Sequence, residues 1–212
     1  MRWAKIIAMG KMSLAQPWMR LESETTYNGY VRVRRDVYRT ADGSVSSWDV
    51  LEEQTSVAAV AFTHDLERVV VFDQFRVGPQ RVLVELPGGG VEDGESVEEG
   101  GRRELLEETG YQAVDVFHAG SEWASANSSR RKHLIIAAGC ARTAAPSWDD
   151  GEMGRPHEMP RNEFIRHVLD GNLTDAGLAM RGLHVMARTE HLPASLLPVR
   201  ETVRELLAVT CT

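Results

Sequence analysis

Residues 89–111 read GGVEDGESVEEGGRRELLEETGY, and this stretch decides the fold that the rest of the chain must complete. Ser96 and Glu99 have the spacing of a capping box, so a helix is predicted to begin at Val97. Gly110 can adopt the left-handed conformation that ends a helix. The stretch therefore predicts a glycine-rich loop followed by one capped helix.

The predicted helix carries an unfavourable concentration of negative charge. Glu104, Glu107 and Glu108 stand at positions i, i+3 and i+4, so their carboxylates share one face and repel one another. Gly100 and Gly101 weaken the helix further, by up to about 1 kcal/mol each relative to alanine. A hard divalent cation such as Mg²⁺ takes oxygen ligands and would convert this repulsion into coordination.

The acidity of the chain is concentrated in the same region. Residues 85–108 contain nine acidic residues and two arginines, which accounts for the whole formal net charge of −7 of the 212-residue chain. A solvated acidic surface is the alternative interpretation of such a run. The acidic balance argues against nucleic acid as a partner. The two cysteines form neither a disulfide framework nor a zinc motif, and no apolar run could span a membrane, so we expect a cytoplasmic protein without membrane contact.

Short β-branched runs lie on both sides of the acidic region. They predict strands over residues 56–63, 68–75 and 81–86 before it, and over 113–117 and 133–138 after it. Three helices are predicted farther along the chain, over residues 161–170, 174–188 and 199–209. The Pro-, Gly- and Asp-rich residues 144–160 are predicted to form a loop. This order favours an α+β domain or a layered α/β/α domain.

The N-terminal part of the chain is predicted to fold separately. Residues 30–38 alternate apolar and basic side chains, and 45–52 can return as a second strand of a β-hairpin. We therefore expect three parts: an N-terminal extension with a hairpin over 1–54, a main domain over 55–192, and a C-terminal helix over 193–212.

The acidic stretch resembles the Nudix box, G-x5-E-x7-R-E-U-x-E-E-x-G-U, in which U is a bulky apolar residue. Nine specified positions within 23 residues are filled, which makes a chance match very rare. The matching residues are Gly89, Glu95, Arg103, Glu104, Leu105, Glu107, Glu108, Gly110 and Tyr111.

The resemblance implies a fold, a reaction and a cofactor. The fold class would be α/β, a Nudix-type α/β/α sandwich with a mixed sheet, plus the small N-terminal β-hairpin subdomain. The reaction would be hydrolysis of a nucleoside diphosphate linked to another moiety, with Mg²⁺ as the cofactor and Mn²⁺ as the alternative. The implied metal ligands are the Gly88 carbonyl and the carboxylates of Glu104, Glu107 and Glu108. The implied structural positions of the box are Gly89, Glu95, Arg103 and Gly110.

A second resemblance concerns the substrate. Residues 74–76 (QFR) and 85–89 (ELPGG) are similar to the QYR…ELPAG arrangement of the ADP-ribose pyrophosphatase branch. This branch implies a homodimer and a small nucleotide substrate, with Glu85 as a substrate contact. Arg76 is a candidate phosphate or ribose contact, with a surface arginine at a strand end as the alternative. Trp48 is a candidate for stacking on adenine across the dimer, with a core or interface role as the alternative. The proline that the branch usually carries beyond the box is absent, with Ala126 near its place, so other nucleoside diphosphate sugars stay open.

The reaction also needs a general base, and three glutamates are candidates. They are Glu107 on the predicted helix and Glu152 and Glu158 in the predicted loop. Two other functions stay open: hydrolysis of non-standard nucleoside triphosphates, and a Nudix-fold sensor without catalysis. The intact row of helix glutamates argues against the sensor.

Overall fold

The structure is a computed structural model that describes residues 16–148 and 153–209. The chain divides into two compact units. The first unit contains the residues before Gln54 together with residues 124–130, and the second contains the rest of the chain.

The first unit is a three-stranded antiparallel sheet. Its strands, in spatial order, are β1 (Met19–Asn28), β2 (Arg32–Arg39) and β3 (Val45–Glu52). The predicted hairpin is β2 and β3, but β1 was not predicted. All ten of its residues are exposed and its sequence, MRLESETTYN, lacks an apolar alternation, so periodicity gives no signal there.

Residues 124–130 complete the first unit, although they lie far from it in the sequence. The Leu51 N–H donates to the Asn127 carbonyl at 2.8 Å, and the Ser129 N–H donates to the Leu51 carbonyl at 2.9 Å. Arg130 also pairs with Glu53 at 2.9 Å. The first unit is therefore discontinuous in sequence.

The second unit is built on an eight-stranded mixed sheet. The main path runs β11-β5-β4-β10-β8, while β6 pairs with β5, β7 with β4 and β9 with β10. Among the described strands of this sheet, only β4 and β10 pair in parallel, and the other pairs are antiparallel. The strands are β4 (Ser56–Thr63), β5 (Arg68–Arg76), β6 (Arg81–Glu85), β7 (Gly88–Gly90), β8 (Tyr111–Gln112), β9 (Asp115–Trp123), β10 (Arg131–Arg142) and β11 (Gly154–Pro160).

Helices cover both faces of this sheet, which confirms the predicted α/β/α class. They are α1 (Val97–Thr109), α2 (Arg161–Asp170), α3 (Ala176–Arg188) and α4 (Leu197–Val209), with a short 3-10 turn at Ala194–Leu196. Leu105 of α1 packs on one face against Ala61, Val70 and Ala137. The helices α2, α3 and α4 close a larger apolar core on the other face. No helix within the described part of the chain is long and apolar enough to cross a membrane.

The caps of α1 agree with the sequence prediction. The Ser96 side chain accepts from the Glu99 N–H, the Glu99 carboxylate accepts from the Ser96 N–H, and Gly110 adopts φ 76°. These interactions lie within a few residues of one another, which explains why the spacing alone predicts them.

Part of the predicted loop over residues 144–160 is a strand. Residues 154–160 form β11 and pair along their whole length with β5. This strand was not predicted because the sequence has prolines at 156 and 160, and proline lacks a backbone donor and normally marks turns. β11 lies at the edge of the sheet, which is where a strand tolerates proline.

Candidate functional site

The strand β7 and the helix α1 form the walls of a pocket of about 210 Å³. Four of its lining side chains are glutamates, and one is an arginine. The lining residues are Gln54, Gly89, Gly90, Glu92, Arg103, Glu104, Glu107, Glu108 and Ser147. The structure therefore brings the three glutamates of the helix face into one place.

The close approach of β7 to α1 requires glycine. A Cβ atom on Gly89 would lie 2.5 Å from Oε1 of Glu104, and one on Gly88 would lie 2.2 Å from the Val57 carbonyl oxygen. The glycine-rich loop predicted before the helix thus starts with a short strand, β7, which lies between β4 on one side and the carboxylate of Glu104 on the other.

Glu108 is the most buried of the three helix glutamates, with 5% of its surface exposed. Its Oε2 accepts a hydrogen bond of 2.7 Å from the backbone N–H of Gly88. A carboxylate removed from water needs such partners to keep its charge. The Gly88 backbone is thus held at this glutamate through its amide, and the predicted role of its carbonyl as a metal ligand stays a prediction.

Arg103 joins the loop before α1 to the helix itself. Its guanidinium donates to Glu95 at 3.0 and 3.2 Å and to the Gly90 carbonyl at 2.7 Å. Its Nη1 donates to both Glu104 and Glu107 at 2.9 Å. The hydrogen bonds from Arg103 lower the pKa of Glu95, and those to Glu95 are the largest cause that raises the pKa of Arg103.

This network neutralises part of the negative charge on the helix face. The Arg103 guanidinium is the cation that faces Glu104 and Glu107. Within the described residues, no group of three or more His, Cys, Asp or Glu side chains is arranged to hold a metal ion. The donor set is nevertheless chemically suited to Mg²⁺, because carboxylate oxygens line the pocket.

Arg76 and Glu85, the predicted substrate contacts, form a pair. The Arg76 Nε donates to Glu85 Oε1 at 3.2 Å. Glu85 is 1% exposed, and its second oxygen accepts from both the N–H and the hydroxyl of Thr174 at 2.9 Å. The Glu85 carboxylate therefore fixes the segment before α3 to β6, while the Arg76 side chain keeps 35% of its surface exposed.

The structure does not bring Glu158 into the pocket. Glu158 lies on β11, and its Oε1 accepts a hydrogen bond of 2.8 Å from the Tyr111 hydroxyl. Burial and this carboxylate raise the pKa of Tyr111 to about 12. Both residues line a different, larger pocket of about 340 Å³ with Arg68 and Arg142. The prediction that Glu158 lies in a loop is thus wrong. Its proposed role as a general base rested on that loop.

Two further predicted site residues are Glu152 and Trp48. Glu152 lies outside the described residues. Trp48 lies on β3 of the first unit, where its ring packs against Trp18 with 5.7 Å between centroids and 43% of its surface is exposed.

Two polar residues that line the pocket were not predicted from the sequence. Gln54 follows β3, and its Nε2 lies 1.8 Å from where a Cβ atom on Gly90 would be. Ser147 enters the pocket from the segment after β10, and its N–H donates to the Glu107 carbonyl at 2.7 Å. Only tertiary pairing brings these residues to the helix, so no local spacing could have identified them.

The chain is similar to one family model, to curated relatives and to a solved structure. Residues 52–176 match the family model described as the NUDIX domain. The methanol dehydrogenase activator of Bacillus methanolicus is 24% identical over 81% of this chain and 95% of its own. The ADP-ribose pyrophosphatase of Haemophilus influenzae is 26% identical over 77% of this chain and 82% of its own. A solved ADP compounds hydrolase shares the fold, with a TM-score of 0.63 and 19% identity over 92% of this chain and 96% of its own.

Proposed function

The chain belongs to the NUDIX domain family, and on this premise we propose that it hydrolyses the diphosphate linkage of a nucleoside diphosphate sugar. ADP-ribose is the substrate we favour, and its products would be AMP and a sugar phosphate. The observation that carries the proposal is the single pocket in which Glu104, Glu107 and Glu108 face the glycine strand β7.

The proposed cofactor is Mg²⁺, with Mn²⁺ as a substitute, held by the carboxylates of Glu104, Glu107 and Glu108. When bound there, Mg²⁺ supplies charge neutralisation of the diphosphate and activation of the attacking water. Arg103 keeps the loop and the helix together through Glu95 and the Gly90 carbonyl.

The proposed chemical step needs an attacking water and a base. The water oxygen forms a bond to one phosphorus, the bridging P–O bond breaks, and the bridging oxygen leaves with the second phosphate. A glutamate accepts the proton of the water. Among the described candidates, Glu107 is favoured, because it lines the pocket and 45% of its side chain is exposed. In that role the Glu107 carboxylate accepts the proton, and Glu104 and Glu108 are the carboxylates that hold the metal ion.

Two observations support ADP-ribose or a related nucleotide sugar. The ADP-ribose pyrophosphatase of Haemophilus influenzae is similar over most of both chains. In addition, within the described residues only the Nε of Arg76 is engaged, by Glu85, which leaves its Nη atoms for phosphate oxygens.

A phosphate-release screen tests the proposal. The purified chain would be assayed with Mg²⁺ or Mn²⁺ against ADP-ribose, other nucleotide sugars, dinucleotides and nucleoside triphosphates. We expect the highest kcat/KM with ADP-ribose. Preference for a non-standard triphosphate would replace the proposed substrate, and absence of turnover on every compound would favour a non-catalytic sensor.

We also propose that the chain is a homodimer formed through the first unit. Its strand β1 is exposed along its whole length, and the unit exposes Trp18, Met19, Leu21 and Trp48. An exposed strand edge with apolar side chains favours association. Light scattering coupled to size-exclusion chromatography should give twice the mass of 23.6 kDa, and a monomer would contradict the proposal.

A second candidate function is activation of a methanol dehydrogenase. The relative with that role is matched over 95% of its length, which is more than the Haemophilus influenzae pyrophosphatase. Adding the chain to a purified methanol dehydrogenase should then increase turnover of methanol, and an unchanged rate would remove this candidate.

A further inference from the structure

The C-terminal end of α1 poses a problem of charge and of hydrogen bonding. The last turn contains Glu107 and Glu108 but no basic residue, although the C-terminus of a helix favours positive charge. The last carbonyl groups of a helix also lack partners within the helix. Donors from elsewhere in the chain would therefore stabilise the turn that carries two of the proposed metal ligands.

A segment directly after β10 supplies these donors. The Trp148 indole N–H donates to the Glu108 carbonyl at 3.0 Å, beside the bond from Ser147 to the Glu107 carbonyl. The N–H groups of Thr143 and Ala144 both donate to the Gly110 carbonyl, at 2.8 and 3.2 Å. Four donors from one segment, at residues 143, 144, 147 and 148, thus hold the end of the helix and its cap residue.

Trp148 also connects this turn to the sheet. Its ring packs against Phe72 of β5, with 6.3 Å between centroids and an interplanar angle of 52°. Phe72 is only 1% exposed, so it gives the indole a fixed surface. Glu108 is therefore held at both ends: its carboxylate by the Gly88 N–H and its carbonyl by the Trp148 indole.

We propose that Trp148 is a positioning residue for the carboxylates of Glu107 and Glu108. The inference rests on the proposed function, because it assigns Trp148 to the same site. Trp148 acts through the helix backbone and does not need to touch the substrate. Losing the indole donor would let the last turn fray, so that the two carboxylates would spend less time in the arrangement that binds a cation.

The test compares Trp148→Phe with the wild type and with Trp148→Ala. Phenylalanine keeps an aromatic ring beside Phe72 but cannot donate to the Glu108 carbonyl. The matched control is Trp123→Phe, since Trp123 is 61% exposed at the end of β9 and lies outside the pocket. For each protein, kcat and KM for ADP-ribose would be measured, together with amide hydrogen exchange of the peptide covering residues 104–111 without metal.

We expect Trp148→Phe to lower kcat roughly three- to tenfold, as the loss of one hydrogen bond allows, with KM changed less than about twofold. Exchange in residues 104–111 should become faster, more so in Trp148→Ala, and Trp123→Phe should match the wild type. An increased KM with unchanged kcat would identify Trp148 as a substrate contact and overturn the proposal. Unchanged exchange in Trp148→Phe would overturn it as well.

Hydrogen exchange separates this proposal from the proposed function. If the wild type hydrolyses none of the nucleotides, the proposed function fails. The exchange of residues 104–111 still decides whether the indole holds the last turn.

Discussion

The backbone N–H of Gly88 lies 2.7 Å from the carboxylate of Glu108, so the glycine strand and the helix meet at a charged hydrogen bond. Only 5% of the Glu108 surface is exposed, which makes this carboxylate the least solvated member of the helix face. The surrounding backbone must therefore stabilise the negative charge of the Glu108 carboxylate.

Replacing Glu108 with Gln removes that charge but keeps an oxygen that can accept from Gly88. We expect Mg²⁺-dependent turnover to fall by roughly a hundredfold or more, as when a key electrostatic group is removed, while the fold persists. Phosphate release and a thermal melt would measure both effects. Glu98→Gln, in the first turn of α1 and outside the pocket, is the control. Wild-type turnover in Glu108→Gln would remove Glu108 from the metal ligands.

Replacing Gly89 with Ala tests the contact between β7 and Glu104. A Cβ atom there would lie 2.5 Å from Glu104 Oε1, so the carboxylate has to move. Since that carboxylate ends a flexible side chain, we expect a loss of stability below about 1 kcal/mol but a fall in kcat of roughly tenfold.

Gly78→Ala is the matched control for Gly89→Ala. A Cβ atom at Gly78 has nothing within 4 Å, and its φ is not in the left-handed region. Equal kcat values for the two variants would show that the Glu104 position does not depend on Gly89.

Replacing Arg103 with Gln leaves three carboxylates without their shared cation. The Arg103 side chain is 24% exposed. We therefore expect the free energy of unfolding to fall by about 2–3 kcal/mol, which is less than for a fully buried ion pair. Urea unfolding would measure it. Added Mg²⁺ should stabilise this variant more than the wild type, because both cations interact with Glu104 and Glu107. If Mg²⁺ stabilises the variant and the wild type equally, the ion and the Arg103 guanidinium do not share a position beside Glu104 and Glu107.

The pKa of Glu95 predicts a dependence of stability on pH. Hydrogen bonds from Arg103 place this pKa below that of an unfolded glutamate. The stabilisation is therefore complete above the unfolded pKa, about 4.3, and is lost as the pH falls through the lower folded pKa.

Glu95→Gln should thus be less stable than the wild type at pH 7, by about 1–3 kcal/mol. The difference should shrink as the pH falls below about 4. Urea unfolding at several pH values measures it, and a difference that is the same at pH 7 and pH 3 would refute the linkage.

Replacing Glu85 with Ala tests whether this residue has mainly a structural role. Its carboxylate is almost fully buried between Arg76 and Thr174. We therefore expect the free energy of unfolding to fall by about 3 kcal/mol. Glu67→Ala is the control, because the Glu67 side chain is 62% exposed and its ion pair should contribute less than about 1 kcal/mol. If the two variants unfold at the same urea concentration, Glu85 is not a structural anchor.

The sequence predicted the parts of this site that depend on local chemistry. Ser96 and Gly110 cap α1 through neighbours a few residues away, and the spacing of Glu104, Glu107 and Glu108 follows from helix geometry. The strands β4 and β5 were predicted because buried β-branched runs carry their own signal.

The parts that were missed depend on tertiary pairing. β11 is a strand because β5 offers an edge, and Gln54 and Ser147 reach the pocket only after distant segments pack. The pairing of Arg103 with Glu104 and Glu107 was also not predicted, since the resemblance implied only a structural role for Arg103. Local patterns do not contain this information.

The sequence order of the first unit also constrains synthesis. Residues 124–130 complete a sheet whose strands end at Glu52, with Asn127 and Ser129 bonded to Leu51. A nascent chain therefore exposes an unfinished sheet until residues 54–123 of the second unit and the segment 124–130 have been translated. Chains usually fold from the N-terminus as they are made, and unpaired strands promote misassembly in that interval. Stalled or truncated translation products of this protein should consequently depend on chaperones more than the finished chain does.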